Sequence, residues 1–205
     1  MLPPTAPAPA DDRAGTNWCL FLDRDGVINT RIMGGYVRSW SEFTFVPGAL
    51  DALAALAAWA PRIVVVTNQQ GIGKGLMSLD DLSAVHARMT DAVAAAGGRI
   101  DAIEFCPHLD AALCACRKPR PGMATRYLQA HPEVVGAASV MVGDTDSDIE
   151  MGHRLATITG GCRTVRIASG NDPHADETHP DLAAFAASLP VARRAVTNAR
   201  RHGAE

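Results

Sequence analysis

The chain has 205 residues, 47% of them hydrophobic and 20% charged, with a formal net charge of −3. That composition is enough to bury a core, and it excludes wholesale disorder; the length suits one domain. A mildly acidic chain has no electrostatic reason to grip a nucleic-acid backbone, and no uncharged stretch is apolar enough to span a bilayer. The partner expected is therefore a small molecule, with neither nucleic acid nor membrane, and a monomer is the expected state.

Residues 1–17, rich in Pro and Ala, read as a flexible leader. They lack the basic start and apolar run of a secretory signal, so the cytoplasm is the expected compartment. Residues 18–190 read as the folded domain. Residues 191–205 read as a basic tail carrying Arg193, Arg194, Arg200 and Arg201.

Within the domain, Trp18 to Leu22 is a short apolar run that predicts a buried strand. Pro47 opens an Ala/Leu-rich helix to about Ala60. Ile63 to Val66, β-branched throughout, predicts a second strand. Ser78, with Asp81 three residues on, predicts a capped helix to Gly97. Ile100 to Phe105 reads as a third strand, Pro121 to Ala130 as a helix, and Ser139 to Val142 as a fourth strand. Asp146 to Leu155 reads as a helix, Arg163 to Ile167 as a fifth strand, and residues 171–179 as loop. Strands alternating with helices predict an α/β fold: a mostly parallel sheet with helices on both faces, its ligands at the carboxyl ends of the strands.

Four loops follow the first four strands, each with its own chemistry. They carry Asp23-Arg24-Asp25-Gly26, then Thr67-Asn68, then a Cys/His cluster running into Arg117-Lys118, then Gly143-Asp144-Thr145-Asp146-Ser147-Asp148. Any one of these alone is more often turn chemistry or a solvated charge. Together, in order, they point to phosphoryl transfer. Two carboxylates two residues apart can divide labour between attack and proton handling. A phosphate and an attacking carboxylate repel unless a divalent cation intervenes. Asp23 and Asp144, with Asp148 nearby, are candidates to hold it, and Mg²⁺ suits an all-oxygen set. Thr67 and Asn68 can hydrogen-bond phosphate oxygens, and Lys118 can neutralise developing charge. Asn68, Arg117 and Lys74 are the candidate substrate contacts, with the 31–37 loop as a rim.

Cys106, His108, Cys114 and Cys116 lie within eleven residues. Three thiolates and one imidazole complete a tetrahedral shell with no open position, which suits a structural Zn²⁺. Cys19 and Cys162 read as small core residues. His86, His131, His153 and His179 read as surface or helix-face residues.

The runs FLDRDGVIN (21–29), VVVTNQ (64–69), CRKP (116–119) and VMVGDTDSD (140–148) resemble the four motifs of the haloacid dehalogenase-like (HAD) phosphatases. The resemblance covers about residues 18–167 and implies a Rossmann-like HAD fold. It makes Asp23 the nucleophile that forms an aspartyl-phosphate and Asp25 the general acid and then base. Thr67 and Lys118 become phosphate-binding residues. Asp23, the Asp25 carbonyl and Asp144 become Mg²⁺ ligands, with Asp148 direct or one step removed. Gly35-Tyr36-Val37, Gly71-Ile72-Gly73-Lys74-Gly75 and Arg117-Lys118-Pro119-Arg120-Pro121-Gly122-Met123 resemble a group without a large cap domain and with a zinc-binding loop. That group holds the D-glycero-D-manno-heptose 1,7-bisphosphate phosphatases and the histidinol-phosphate phosphatases. The motifs resemble the heptose enzymes and imply removal of the 7-phosphate. The five-residue spacer Leu109 to Leu113 resembles the histidinol enzymes, which makes histidinol phosphate the alternative substrate. A zinc-stabilised binding module without catalysis is the alternative of another class, and the full set of acids and Lys118 counts against it.

Overall fold

The computed structural model describes residues 16–190; most of the expected leader and all of the expected basic tail lie outside the described residues. Five of the six strands sit where apolar, mostly β-branched runs predict them. They are β1 (Cys19–Leu22), β2 (Arg62–Asn68), β3 (Ala102–Cys106), β4 (Val140–Gly143) and β5 (Arg163–Ile167). With β6 (Glu177–His179), the sheet is parallel throughout, in the order β3-β2-β1-β4-β5-β6. β6 is an edge strand beside β5, with Arg166 opposite Thr178. Its Glu-Thr-His sequence has no apolar run, so the loop expected over 171–179 is corrected at its end by tertiary pairing.

Both faces of the sheet are buried, and alternate residues of each central strand serve different cores. Leu20, Leu22, Ile63, Val65, Val140 and Val142 point to one face. There they meet α1 (Ala49–Trp59), α3 (Leu79–Ala95) and α6 (Leu182–Ser188) through Leu53, Leu56, Val85, Met89 and Phe185. Cys19, Phe21, Val64, Val66 and Met141 point to the other face. That side is covered by α4 (Gly122–Ala130) and α5 (Asp146–Thr159) through Met123, Tyr127, Met151 and Leu155. Cys19 and Cys162 are core residues, as expected.

Helix ends follow their local chemistry. Ser78 and Asp81 form the expected capping box: the Asp81 N–H donates to Ser78 Oγ at 3.0 Å and the Ser78 N–H to Asp81 Oδ2 at 2.8 Å. α5 runs past Leu155 to Thr159 and ends at Gly160, whose φ of 88° is the left-handed stop that glycine supplies cheaply. A single helical turn, α2 (Gln70–Gly73), was not legible in a Gly-rich run. It lies against the Cys/His loop, with the Gly73 N–H donating to Pro107 O at 3.0 Å. A Cβ on Gly73 would come within 2.7 Å of that oxygen, so the glycine permits the approach.

Strand order reverses between β1 and β4, and a crevice opens at the carboxyl ends of these two strands. The β1–α1 connection, residues 23–48, folds over this edge by bridges of Asn29 to Asp25 and to Phe45. Among the described residues no separate cap domain is inserted, and no helix is long and apolar enough to cross a membrane.

Candidate active site and metal centres

The ends of β1, β2 and β4 and the loop after β3 converge on a cavity of about 260 Å³ lined by Asp23, Asp25, Thr67, Asn68, Arg117 and Lys118. Arg31 and Tyr36 of the 31–37 loop, Gln70, and Thr145 and Ser147 beyond β4 also line it. The four segments singled out in the sequence thus share one site, although Thr67 and Asn68, expected in a loop, are the last residues of β2.

Lys118 is its central cation. Its Nζ lies 2.7 Å from Asp23 Oδ1 and 2.6 Å from Asp148 Oδ1, and it donates to Val66 O at 2.9 Å. Burial alone would lower its pKa, but the charges of Asp148 and Asp23 outweigh burial and raise it. Asn68 explains how a loop lysine is held so firmly. Its amide nitrogen donates to Lys118 O at 3.2 Å, and its amide oxygen accepts from the Lys118 N–H at 3.0 Å. Asn68 lines the cavity, and its side chain clamps the Lys118 backbone.

Asp23 has one oxygen committed and one facing the cavity. Oδ1 accepts from Lys118 and from the Arg24 N–H at 2.7 Å; among the described residues Oδ2 has the Arg31 guanidinium, at 3.6 Å. Burial, then the Asp148 charge, push the Asp23 carboxyl up to about 7 against the pull of Lys118. A site that resists the charged form of its own carboxylate in this way wants further positive charge.

Asp25 is held on both oxygens. Oδ1 accepts from Arg24 at 2.9 Å and Asn29 at 3.0 Å; Oδ2 accepts from Gln69 at 3.0 Å. Burial raises its pKa, but the Arg24 charge and the hydrogen bonds from Arg24, Asn29 and Gln69 prevail and lower it. Gln69 also donates to Thr67 Oγ1 at 2.8 Å, tying the two cavity residues together.

Behind Asp25 stands a strut that the sequence did not reveal. Arg24 is only 1% exposed, and its second guanidinium nitrogen lies 3.1 Å from His86 Nε2. A guanidinium only donates, so Nε2 must accept and the imidazole must be neutral. Burial, then the Arg24 charge, push the His86 pKa down to about 3, in agreement. Of the two expectations for His86, surface or helix face, the second holds: it is 8% exposed and lies on the buried face of α3 with Leu82, Val85 and Met89. His86→Phe leaves a buried Arg24 donor unpaired. It is expected to cost about 1–3 kcal/mol of stability and to lower kcat more than it raises KM, because Asp25 loses its brace. His86→Gln restores an acceptor and should recover most of both. Denaturant unfolding and steady-state kinetics on the pair check this; a fully active, fully stable phenylalanine variant overturns it.

Asp144, at the end of β4, faces Asp23 across the switch point. Gly26 makes room for it: with φ of 95°, a Cβ there would lie 2.0 Å from Asp144 Oδ2. Carboxylate oxygens of Asp23, Asp144 and Asp148 lie within 4.8 Å of one another. This is an all-oxygen donor set suited to a hard divalent cation. Asp148 is the most committed of the three. Besides Lys118, it accepts from the Thr145 N–H at 3.0 Å and Thr145 Oγ1 at 2.6 Å through Oδ2. Arg31 reaches into this group: its Nε donates to Asp144 Oδ2 at 3.1 Å and its NH2 to Asp144 Oδ1 at 2.7 Å and the Asp25 carbonyl at 2.6 Å.

The Cys/His loop forms a second donor set. Cys106 Sγ lies 3.2 Å from Cys116 Sγ and 3.5 Å from Cys114 Sγ, with 3.4 Å between the last two. His108 turns Nδ1 toward them, 3.3 Å from Cys116 and 3.6 Å from Cys106. These separations far exceed an S–S bond of about 2.0 Å. They approach the edges of roughly 3.8 Å that Zn–S bonds of about 2.3 Å would span in a tetrahedron. Thiolate and imidazole donors with no place for a fifth ligand fit zinc.

Arg117 and Lys74 complete the expected set. Arg117 pairs with Asp110 at 3.1 Å and donates to Gln70 at 3.3 Å, while its buried NH1 has no partner among the described residues. Lys74 does not line the cavity. Its Nζ sits 5.3 Å from the ring centre of Tyr36, which does.

A HAD-hydrolase-like family model matches residues 115–192. The D-glycero-alpha-D-manno-heptose-1,7-bisphosphate 7-phosphatase of Mycobacterium bovis is 46% identical over 89% of this chain and 96% of its own. The corresponding beta-anomer enzyme of Pseudomonas putida is 36% identical over 83% and 98%. The crystal structure of D,D-heptose 1,7-bisphosphate phosphatase from B. bronchiseptica, complexed with magnesium and phosphate, superposes with a TM-score of 0.73 at 35% identity, over 83% of this chain and 96% of that one. The Burkholderia thailandensis enzyme of the same name, also 35% identical over the same shares, gives 0.57. With this likeness over nearly the whole described domain, and with the four strand-end motifs gathered in one crevice, the chain belongs to the HAD-like phosphatases.

Proposed function

We propose that the chain removes the 7-phosphate of D-glycero-α-D-manno-heptose 1,7-bisphosphate through an aspartyl-phosphate on Asp23. The observation that carries the chemistry is the asymmetry of Asp23: one oxygen is pinned by Lys118, and the other is open to the cavity beside Asp25. The higher identity to relatives named for the α anomer, 46% against 36%, supports that substrate.

In the first half-reaction the Asp23 carboxylate attacks phosphorus, and protonated Asp25 gives its proton to the departing sugar oxygen. In the second, Asp25 takes a proton from a water that attacks the phosphorus, freeing phosphate and Asp23. Arg24, Asn29 and Gln69 favour the ionised Asp25 that this base step needs. The incoming phosphate's negative charge opposes them and favours the protonated form needed first. Lys118 and Thr67 hold phosphate oxygens, and Asn68 keeps Lys118 in place. Mg²⁺, held by Asp23, the Asp25 carbonyl and Asp144 with Asp148 behind them, would offset the repulsion between carboxylate and phosphate. Zn²⁺ on Cys106, His108, Cys114 and Cys116 would brace the loop that delivers Arg117 and Lys118. A bisphosphate presents a second anion, and the unpartnered NH1 of Arg117 supports a contact with it. Lys74, on the Tyr36 ring, adds positive charge at the mouth.

Phosphate release in Mg²⁺ is to be compared for both anomers of heptose 1,7-bisphosphate and for histidinol phosphate. The α anomer is expected to lead in kcat/KM, with a margin over histidinol phosphate on the order of 10²-fold. A lead for histidinol phosphate overturns the substrate and keeps the chemistry.

A further inference from the structure

We propose that Arg31 is a built-in counter-cation of the carboxylate cage, so that loading the divalent ion exchanges a guanidinium for a metal and Arg31 sets the affinity of the site. The exchange rests on the Mg²⁺ site proposed above and concerns what that site does when no metal is present.

Arg31 touches every group of the cage's open side. Its NH2 lies 2.6 Å from the Asp25 carbonyl, 2.7 Å from Asp144 Oδ1 and 3.6 Å from Asp23 Oδ2, and its Nε donates to Asp144 Oδ2 at 3.1 Å. These are the three groups assigned to the cation: one carbonyl and two carboxylates. A planar guanidinium that takes both oxygens of Asp144 leaves that carboxylate no free edge. A hard cation needs the same oxygens nearly bare, so guanidinium and metal exclude one another.

Charge gives the reason for such a residue. Asp23, Asp144 and Asp148 bring carboxylate oxygens within 4.8 Å of one another, and Lys118 pairs with two of them, so three negative charges against one lysine leave the crevice two charges in deficit. Arg31, paired with Asp144, supplies one of the two missing positive charges, where a divalent ion supplies both. Once a divalent ion enters, the guanidinium becomes surplus and is repelled by the ion.

The chain can release it. Arg31 is 37% exposed at its side chain and starts the 31–37 loop on the rim. That loop contains Met33, 86% exposed, and Gly34, which has φ of 69° and no neighbour crowding its Cβ position. None of residues 31–36 belongs to either apolar core, so the side chain can swing out without disturbing them.

An occupied cage lowers the apparent affinity for its ligand by the fraction of time it stands open. A cage closed by Arg31 about nine-tenths of the time weakens metal binding about tenfold. Arg31→Ala is therefore expected to bind Mg²⁺ about tenfold more tightly in calorimetry without substrate, and to do the same with Ca²⁺. The metal-free variant should melt at a lower temperature than the native protein and gain more from added Mg²⁺. Arg31→Gln repeats the comparison with a side chain of similar length and no charge. Arg31→Lys, which keeps the charge and loses the fork, should fall between. The native and Asp144→Asn proteins serve as references.

If native binding depends on Asp144 and the Arg31 variants bind Mg²⁺ equally or more weakly, the exchange is overturned and the metal site stands. If the native protein shows no Asp144-dependent Mg²⁺ binding, the site itself falls and the exchange with it. Tighter binding together with a less stable metal-free fold supports the proposal; a role confined to holding the loop would lower stability without raising affinity.

Discussion

Asp23→Asn loses hydrolysis almost entirely and yet folds as the native chain does: kcat is expected to fall roughly 10⁴-fold or more, the scale on which removal of a nucleophile acts. The amide matches the carboxylate in size and can still accept from the Arg24 N–H and from Lys118 through its oxygen. What it cannot do is offer an anionic oxygen to phosphorus. Stability moves the other way. The native site sets two carboxylates, Asp23 and Asp148, against Lys118, all three almost fully buried. With the amide in place of the Asp23 carboxylate, the pair Lys118–Asp148 is left neutral. The pH dependence carries the sign. Asp23 titrates near 7 in the folded chain, above its ordinary value, so the fold favours its protonated form. Its contribution is complete at pH below the ordinary carboxylate range and is lost as pH rises toward 7. The metal-free variant, which does not titrate there, should therefore gain on the native protein between about pH 4 and pH 7 and be at least as stable at pH 8. Thermal melts across that range, paired with single-turnover kinetics, check both halves. A variant that keeps most of its rate overturns the nucleophile; one that folds but melts far below the native protein at pH 8 overturns the charge argument.

The parts of this molecule that were legible in its sequence are those written locally. β1, β2 and β4 are short apolar runs buried on both faces, and each is followed at once by a polar loop whose residues cannot join the core. The donors Cys106, His108, Cys114 and Cys116 lie within one loop, so their meeting needs no knowledge of the fold. The Ser78–Asp81 box closes over three residues. What escaped depends on long separations. Arg24 meets His86 across 62 positions, Gln69 meets Asp25 across 44, and Arg31 meets Asp144 across 113. None of these pairs has a spacing that announces it. One signal was available for His86: it falls in the series Leu82, Val85, Met89 and Val93, the apolar stripe of α3, where a polar residue needs a buried partner. Another was Arg24 itself, a charge wedged between two acids at the mouth of a buried strand. β6 was illegible for the opposite reason: its residues have no pattern of their own and become a strand only because β5 offers an edge.

Cys114→Ala should abolish zinc binding, and with it much of the catalysis, although Cys114 lies outside the cavity. The loop from Pro107 to Arg117 has little else to hold it. Its regular structure is a single 3-10 turn at Asp110–Ala112, and its largest apolar residues are turned to solvent, Leu109 at 40% and Leu113 at 72% exposure. Such a segment draws its order from its ligands rather than from a core. Its backbone is nonetheless wired to the site. Pro107 O accepts from Gly73, Ala115 O accepts from the Gly122 N–H at 3.1 Å, and Cys114 O accepts from Arg120 at 3.1 Å. Arg117 and Lys118 follow directly in the chain. Freed of its metal, the loop pulls on the Lys118 backbone against the Asn68 clamp. The expected result is one zinc per native chain and a strongly reduced content in the variant, with a loss of activity on the order of 10–100-fold. Most of that loss should appear in kcat, because the displaced group is Lys118 at the reacting phosphate. The melting temperature should also fall, while the sheet, whose cores lie elsewhere, keeps its circular dichroism. Elemental analysis, kinetics in saturating Mg²⁺ and thermal melts check these together, with Mg²⁺ restored after any chelator so that the two metal sites are told apart. A native protein without zinc overturns the assignment, and a zinc-free variant that keeps full activity overturns the link from that loop to Lys118.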